Sequence, residues 1–139
     1  MSKHAIIVIK NDNNEYLQYF DNRWNSFLFP NCKLDENFNE DVIKDYISIK
    51  LKINNSELEC IYVADKVHTK FSESARKEKE YHHYFYKINI ESIPEIMRKK
   101  SFNTENTKYC WYSEDELKND ERIQKVNSDI VQFIKEYNL

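Results

Sequence analysis

Phe29-Pro30-Asn31-Cys32-Lys33-Leu34-Asp35 leads from a short extended piece toward a segment of helical period, Val42-Ile43-Lys44-Asp45-Tyr46-Ile47-Ser48-Ile49-Lys50-Leu51-Lys52-Ile53. In that segment Val42, Ile43, Tyr46, Ile47 and Leu51 recur at the three- and four-residue intervals that gather side chains on one helix face. Asn37 followed by Glu40 supplies a capping start, and the helix is expected to end near Lys52, before Asn54-Asn55. Upstream, residues 24–29 read as a short extended piece stopped at Pro30. Residues 5–10 are rich in β-branched side chains, residues 11–14 are turn formers, and residues 15–20 read as the return strand of a hairpin.

Downstream, residues 58–67 and 81–90 read as strands. The charged stretch 70–80 between them is either a solvent loop or the tip of a long hairpin. Residues 91–100 carry Pro94 and room for one helical turn, and residues 108–112 form a short strand. Ser113-Glu114-Asp115-Glu116 is a capping box. Asn127 is expected to cap the last helix, with Ile130, Val131, Phe133, Ile134 and Tyr137 as its apolar face. No linker or repeat interrupts the pattern, so residues 1–139 read as a single α+β or mixed α/β domain.

The chain has 139 residues, no glycine and a net charge of −3. Average usage of about 7% would give roughly ten glycines, so Walker loops and G-x-G-x-x-G fingerprints are excluded. Asparagine is expected at the left-handed turn positions that glycine usually fills. The acidic balance argues against general nucleic-acid binding. Cys32, Cys60 and Cys110 form no C-x-x-C pair, so neither a disulfide framework nor a zinc knuckle is indicated, and they are expected to be buried thiols. The first residues lack the apolar core of a signal peptide, and no window reaches the roughly 18 apolar residues of a membrane span. A cytoplasmic location with no membrane partner is the expectation.

Several side-chain groups are candidates for chemistry. His82 and His83 are adjacent in a strand and point to opposite faces, so they cannot share one metal, though one could pair with His68 or a carboxylate. Cys110 beside Trp111 has no neighbouring base to activate it. Trp24, Phe27, Phe29, Tyr84 and Tyr86 could wall a base-stacking site, and they serve equally well as core. Asp35, Glu36, Glu40, Asp41 and Asp45 surround the first helix. Asp41 and Asp45, four apart, share a face that suits a hard cation, while acids in a first turn also complement the helix dipole without any metal.

The order of these pieces resembles the Nudix hydrolase family over nearly the whole chain. Residues 29–35 are similar to its F-P-G-G-K-x-E motif, residues 42–53 fall on its helix and closing G-U, and Trp111-Tyr112-Ser113-Glu114-Asp115-Glu116-Leu117 looks like its W-x-x-x-x-E-L. The resemblance implies an α/β/α sandwich with a mixed central sheet. It also implies a signature helix whose glutamates hold Mg2+ against a diphosphate. Setting Val42, Ile47, Leu51 and Ile53 on the apolar positions puts Asp45 at the signature Arg and Tyr46, Ile49 and Lys50 at the three Glu positions. A second register, matching Lys44-Asp45 to Arg-Glu, keeps Asp45 as one carboxylate and puts Leu51 at the closing glycine.

The resulting expectation is a fold whose metal-dependent pyrophosphohydrolase chemistry is lost and whose cleft binds or senses a nucleotide ligand without a cofactor. Trp24, Lys33, Lys50, Tyr84 and Tyr86 are its candidate binding residues, with Lys50 meeting a phosphate directly, and no metal ligands are assigned. Two alternatives stand beside it. One is a divergent Mg2+-dependent hydrolase of nucleoside diphosphate derivatives, its carboxylates drawn from Asp35, Asp41 and Asp45 or from Glu73, Glu78 and Glu80. The other is a protein-interaction or structural domain, as a homodimer or with another protein partner, with the cleft filled by side chains such as Tyr46.

Overall fold

In the first strand, β1 (Ser2–Val8), alternate side chains turn to opposite sides, and both sides are apolar: Ala5 and Ile7 on one, Ile6 and Val8 on the other, all buried. A strand of this kind has to lie between two covered faces. The computed structural model, which describes residues 2–72 and 75–139, places it there. β1 runs parallel to β6 (Lys77–Ile90) and antiparallel to β4 (Asn31–Lys33), while β5 (Leu58–Ser72) pairs with β6, giving a mixed sheet in the order β4-β1-β6-β5. A second, antiparallel sheet has the order β3 (Ser26–Leu28), β2 (Tyr16–Asp21), β8 (Thr107–Tyr112), β7 (Ser101–Thr104).

Helix α1 (Glu40–Leu51) packs Ile43, Ile47 and Leu51 into the core that holds Ala5, Ile7 and Ile88. Helices α2 (Glu114–Asn119) and α3 (Glu121–Glu136) cover the opposite side, where Leu117, Ile130 and Phe133 meet Ile6, Val8 and Phe85. The expected α+β sandwich with a mixed sheet is therefore present. No helix among the described residues is long and apolar enough to cross a membrane.

Several local expectations are corrected. The turn at residues 11–14 forms, with Asn11 Oδ1 accepting from the Asn13 and Glu15 amides, but β1 and β2 separate into different sheets after a single bridge between Lys10 and Tyr16. The flank of β1 that a hairpin would use is taken by Pro30, whose carbonyl accepts from Ile7 N at 2.8 Å, and by β4. Helix α1 is capped by Asn39, which accepts from Val42 N at 3.0 Å, whereas Asn37 closes a turn onto Asp35. For residues 70–80 the hairpin alternative holds, since β5 and β6 stay in register out to Ser72 and Lys77, so residues 70–72 and 77–80 belong to the end of a long hairpin. Helix α3 is capped by Asp120, which accepts from Ile123 N at 2.9 Å; Asn127 stands where a kink, φ −143° and ψ 21°, divides it into two helical segments, and its side-chain oxygen accepts from Lys70. The three cysteines are half-buried rather than buried, and burial raises Cys32 to about 11 and Cys60 to about 12, which leaves both protonated near neutrality.

The absence of glycine has a visible consequence in the backbone. Among the described residues seven take positive φ, and Asn14, Asn25, Asn106 and Asn138 account for four of them, as expected; Lys52, Arg76 and Glu105 are the others. Lys52 closes α1 in the left-handed conformation, with φ 55° and ψ 44°, where a Cβ costs about 1 kcal/mol or more. Its exposed pairing with Glu105 at 3.3 Å returns little, because water and salt screen it. Lys52→Gly is therefore expected to stabilise the protein by about 0.5–1 kcal/mol, read as a higher urea midpoint at an unchanged slope.

Candidate functional site

The turn between β2 and β3 is built to hold Trp24. Asp21 Oδ1 accepts from the amides of Arg23 at 2.9 Å and Trp24 at 3.1 Å, and Asn25 supplies the positive φ that reverses the chain. The other Asp21 oxygen accepts from the Tyr19 hydroxyl at 2.9 Å, and that hydroxyl in turn accepts from Asn31 Nδ2 at 3.0 Å. From α3, the Arg122 guanidinium donates to the carbonyls of Trp24 and Asn25. The turn is thus fixed at three points, and its indole forms part of a cavity of about 230 Å³.

Tyr81 and His83 from β6, His4 from β1, Phe29, and Lys70 from β5 complete the floor and walls, and Arg23, Lys33 and Lys79 line the same space. Lys70 Nζ lies 5.9 Å from the Trp24 ring centroid and 5.8 Å from that of Tyr81, and Lys79 Nζ lies 5.6 Å from Tyr81. Such distances are attractive for a cation over an aromatic face. The cavity is electropositive in a chain that is acidic overall. Burial, followed by the charges of Lys33, Lys79, Lys70 and Arg23, pushes the His4 imidazole down to about 4, so it is neutral at pH 7. Its Nδ1 is buried without a hydrogen-bond partner. Among the described residues neither Lys33 nor Lys79 has a carboxylate partner. This combination can stack a planar ring and hold an anion.

At one end of the cavity, Lys70 reaches into the kink of α3. It donates to Asn127 Oδ1 at 2.8 Å, Val126 O at 3.2 Å and Asp129 Oδ1 at 3.2 Å. Burial is the largest influence on this amine and lowers its pKa despite Asp129. Beside it, His68 Nδ1 and His83 Nδ1 are 2.8 Å apart, and His68 Nδ1 is 3.6 Å from Asp129 Oδ2. On the other face of β6, His82 Nε2 contacts Asp65 Oδ2 at 2.5 Å. Both strand histidines therefore found the partners that sequence offered to one of them.

The binding candidates named from sequence are divided among three places. Trp24 and Lys33 line the cavity just described. Lys50 and Tyr46 border a small recess of about 70 Å³ beside α1, where the Tyr46 hydroxyl donates to Asn31 O at 3.0 Å. Tyr84 and Tyr86 lie on the α1 side of β6, Tyr84 stacked on His82 at 4.2 Å and Tyr86 against Tyr62, so they cannot share a stacking wall with Trp24. Asp35 and Asp41 are exposed, and Asp45 accepts from Asn55. These carboxylates, with exposed Glu78 and Glu80, are absent from the one metal-suited group among the described residues, and Glu73 lies outside them. Sequence reading missed His4, Arg23, Lys70, Lys79 and Tyr81. Alternation alone would have put Tyr81 and His83 on one face of β6, but nothing local tied that face to Trp24.

No protein-family model matches the sequence, and the search of curated proteins gives no match. Solved structures do match. The Ap4A hydrolase of C. elegans superposes with a TM-score of 0.59 at 13% identity, over 99% of this chain and 96% of that one. A Nudix hydrolase from Nitrosomonas europaea gives 0.56 at 14% identity, over 99% and 87%. A structure described as an ADP compounds hydrolase gives 0.58 at 10% identity, over 98% and 72%. Identities this low speak for the architecture, and on that evidence the chain is a Nudix-fold domain.

Proposed function

We propose that this domain binds a phosphate-bearing nucleotide derivative in the Trp24–Tyr81 cavity, without a magnesium ion on α1. The observation that carries the reading is the convergence of Arg23, Lys33, Lys70 and Lys79 with Trp24 and Tyr81 on one cavity. Aromatic faces suit a base and cations suit its phosphates. At about 230 Å³ the cavity lies below the usual range of about 300–1,000 Å³ for ligand pockets. It suits the base or a phosphate group, with the rest of the ligand toward solvent. Two of the similar structures are named for Ap4A and for ADP compounds, which makes adenine nucleotides the first ligands to try.

The face of α1 argues against the hydrolase alternative. Lys52 is left-handed where the family pattern closes on glycine, which favours the register that puts Tyr46, Ile49 and Lys50 at the carboxylate positions. Tyr46 donates its hydroxyl to a carbonyl, Ile49 is 71% exposed and apolar, and Lys50 is a cation lying 5.8 Å from the Tyr46 ring. A hard cation needs oxygen ligands, and a lysine at the site repels it. These residues do not fit Mg2+.

Titration calorimetry with ADP, ATP and Ap4A in excess chelator tests the reading. At least one should bind with one site and a Kd at or below about 100 µM, and Trp24→Ala and Lys33→Met should each weaken it about tenfold, roughly 1.4 kcal/mol. Failure of all three ligands to bind would overturn it. So would Mg2+-dependent phosphate release that disappears in the Asp41→Asn, Asp45→Asn double variant.

A further inference from the structure

The pair of histidines beside Lys70 has a geometry that the nucleotide reading does not use. His68 comes from β5, His83 from β6 and Asp129 from α3, so three separate elements bring three ligating groups to one point. Their ligand atoms all lie within 4.8 Å of one another. His68 Nδ1 and His83 Nδ1 face each other at 2.8 Å, and Asp129 Oδ2 stands 3.6 Å from His68 Nδ1. That carboxylate oxygen is buried and has no hydrogen-bond partner, which is costly for an anion. Its sister oxygen is held by Lys70 at 3.2 Å, so the free oxygen is turned toward the imidazoles. The buried ring of His83 is stacked on Tyr81 with centroids 5.6 Å apart and planes 9° apart, which limits its rotation.

We propose that His68, His83 and Asp129 form a binding site for one divalent transition-metal ion of the Zn2+ type. Two imidazole nitrogens and one carboxylate oxygen are a donor set for zinc, cobalt, nickel or copper rather than for magnesium or calcium. Metal–ligand bonds of about 2.0–2.1 Å in a tetrahedron set neighbouring ligand atoms about 3.3 Å apart, so the two nitrogens have to part by about 0.5 Å. The ion satisfies the stranded Asp129 oxygen and leaves its fourth position to water or a ligand atom. Lys70 donates to the other carboxylate oxygen, Oδ1, and so orients it, as outer partners of metal ligands do. The site is separate from α1 and stands whether or not a nucleotide binds, although His83 also lines the cavity.

The test uses the whole chain, stripped with chelator and dialysed, and titrated with ZnCl2 alone and separately with CoCl2. Calorimetry is expected to show one Zn2+ per chain, and Co2+ is expected to give the visible absorption of a four-coordinate ion. His68→Gln and Asp129→Asn should each weaken Zn2+ by more than about tenfold, since losing even an outer partner of a ligand costs about 10–100-fold. His82→Gln, on the opposite face of the same strand, should bind as the parent does. Circular dichroism checks that each variant is folded; if Asp129→Asn is not, His68→Gln decides. Absence of Zn2+ binding by the parent chain would overturn the proposal, as would loss of binding in His82→Gln with retention in His68→Gln.

Discussion

Trp111→Ala is expected to cost about 3–5 kcal/mol, the range for deleting a large buried aromatic side chain. Trp111 is 1% exposed near the end of β8, opposite Leu17, and its backbone amide donates to Lys100 O at 2.9 Å. The indole nitrogen donates to Met97 O at 2.7 Å and ties the 3-10 turn at Glu95–Arg98 to the sheet. Alanine removes the ring and strands that buried carbonyl. Total stabilities of domains run about 5–15 kcal/mol, so this one change is expected to bring the protein close to unfolding at 37 °C. Trp111→Phe separates the two contributions, since it keeps most of the apolar contact and loses only the hydrogen bond, for about 1–3 kcal/mol. Urea unfolding measures both, and equal losses for the two variants would show that ring burial is not what matters here.

Trp111 also illustrates why the fold was legible without a matching family model. The sequence W-x-x-x-x-E-L places an aromatic residue in a strand, a capping box after it and a leucine in the next helix, and each part has a local physical reason. The Ser113 box forms, with Glu116 Oε1 accepting from Ser113 N at 3.0 Å, and Leu117 is buried. Period and capping are properties of neighbouring residues, so they can be read along the chain. The division of strands between two sheets cannot. Whether residues 15–20 continue as the partner of β1 depends on who else claims that edge, and the claimant, the Pro30 carbonyl with β4, lies beyond the turn.

The cavity was harder to read for the same reason. Trp24 and Lys33 were legible because they sit near a recognisable segment, while Lys70 lies in a charged stretch that resembles any solvated hairpin, and Tyr81 opens a strand that nothing local ties to Trp24. What distinguishes Lys70 is a contact with α3, more than fifty residues away, and the kink at Asn127 that exposes the Val126 carbonyl to it. Asn127 drew notice as a helix cap. Its position inside a helix follows from the buried amine it serves, which no local rule could supply.

Lys70→Met should therefore show the largest combined effect on stability and binding. The methionine keeps the unbranched apolar stem but leaves Val126 O, Asn127 Oδ1 and Asp129 without their shared donor. Breaking a fully buried ion pair costs about 3–5 kcal/mol, but the Lys70 and Asp129 side chains keep 18% and 23% of their exposure. Replacement also relieves the desolvation that lowers the lysine's own pKa. A net loss of about 1–3 kcal/mol is expected. Binding of an anionic ligand should fall by more than about tenfold, because the cation that lies over both Trp24 and Tyr81 is gone. Lys33→Met provides the contrast, since Lys33 lines the same cavity from an exposed position. It should weaken the ligand while leaving the urea midpoint unchanged. If Lys70→Met lost stability but bound the nucleotide as before, Lys70 would be a brace for α3 alone, and the phosphate would have to rest on Arg23, Lys33 and Lys79.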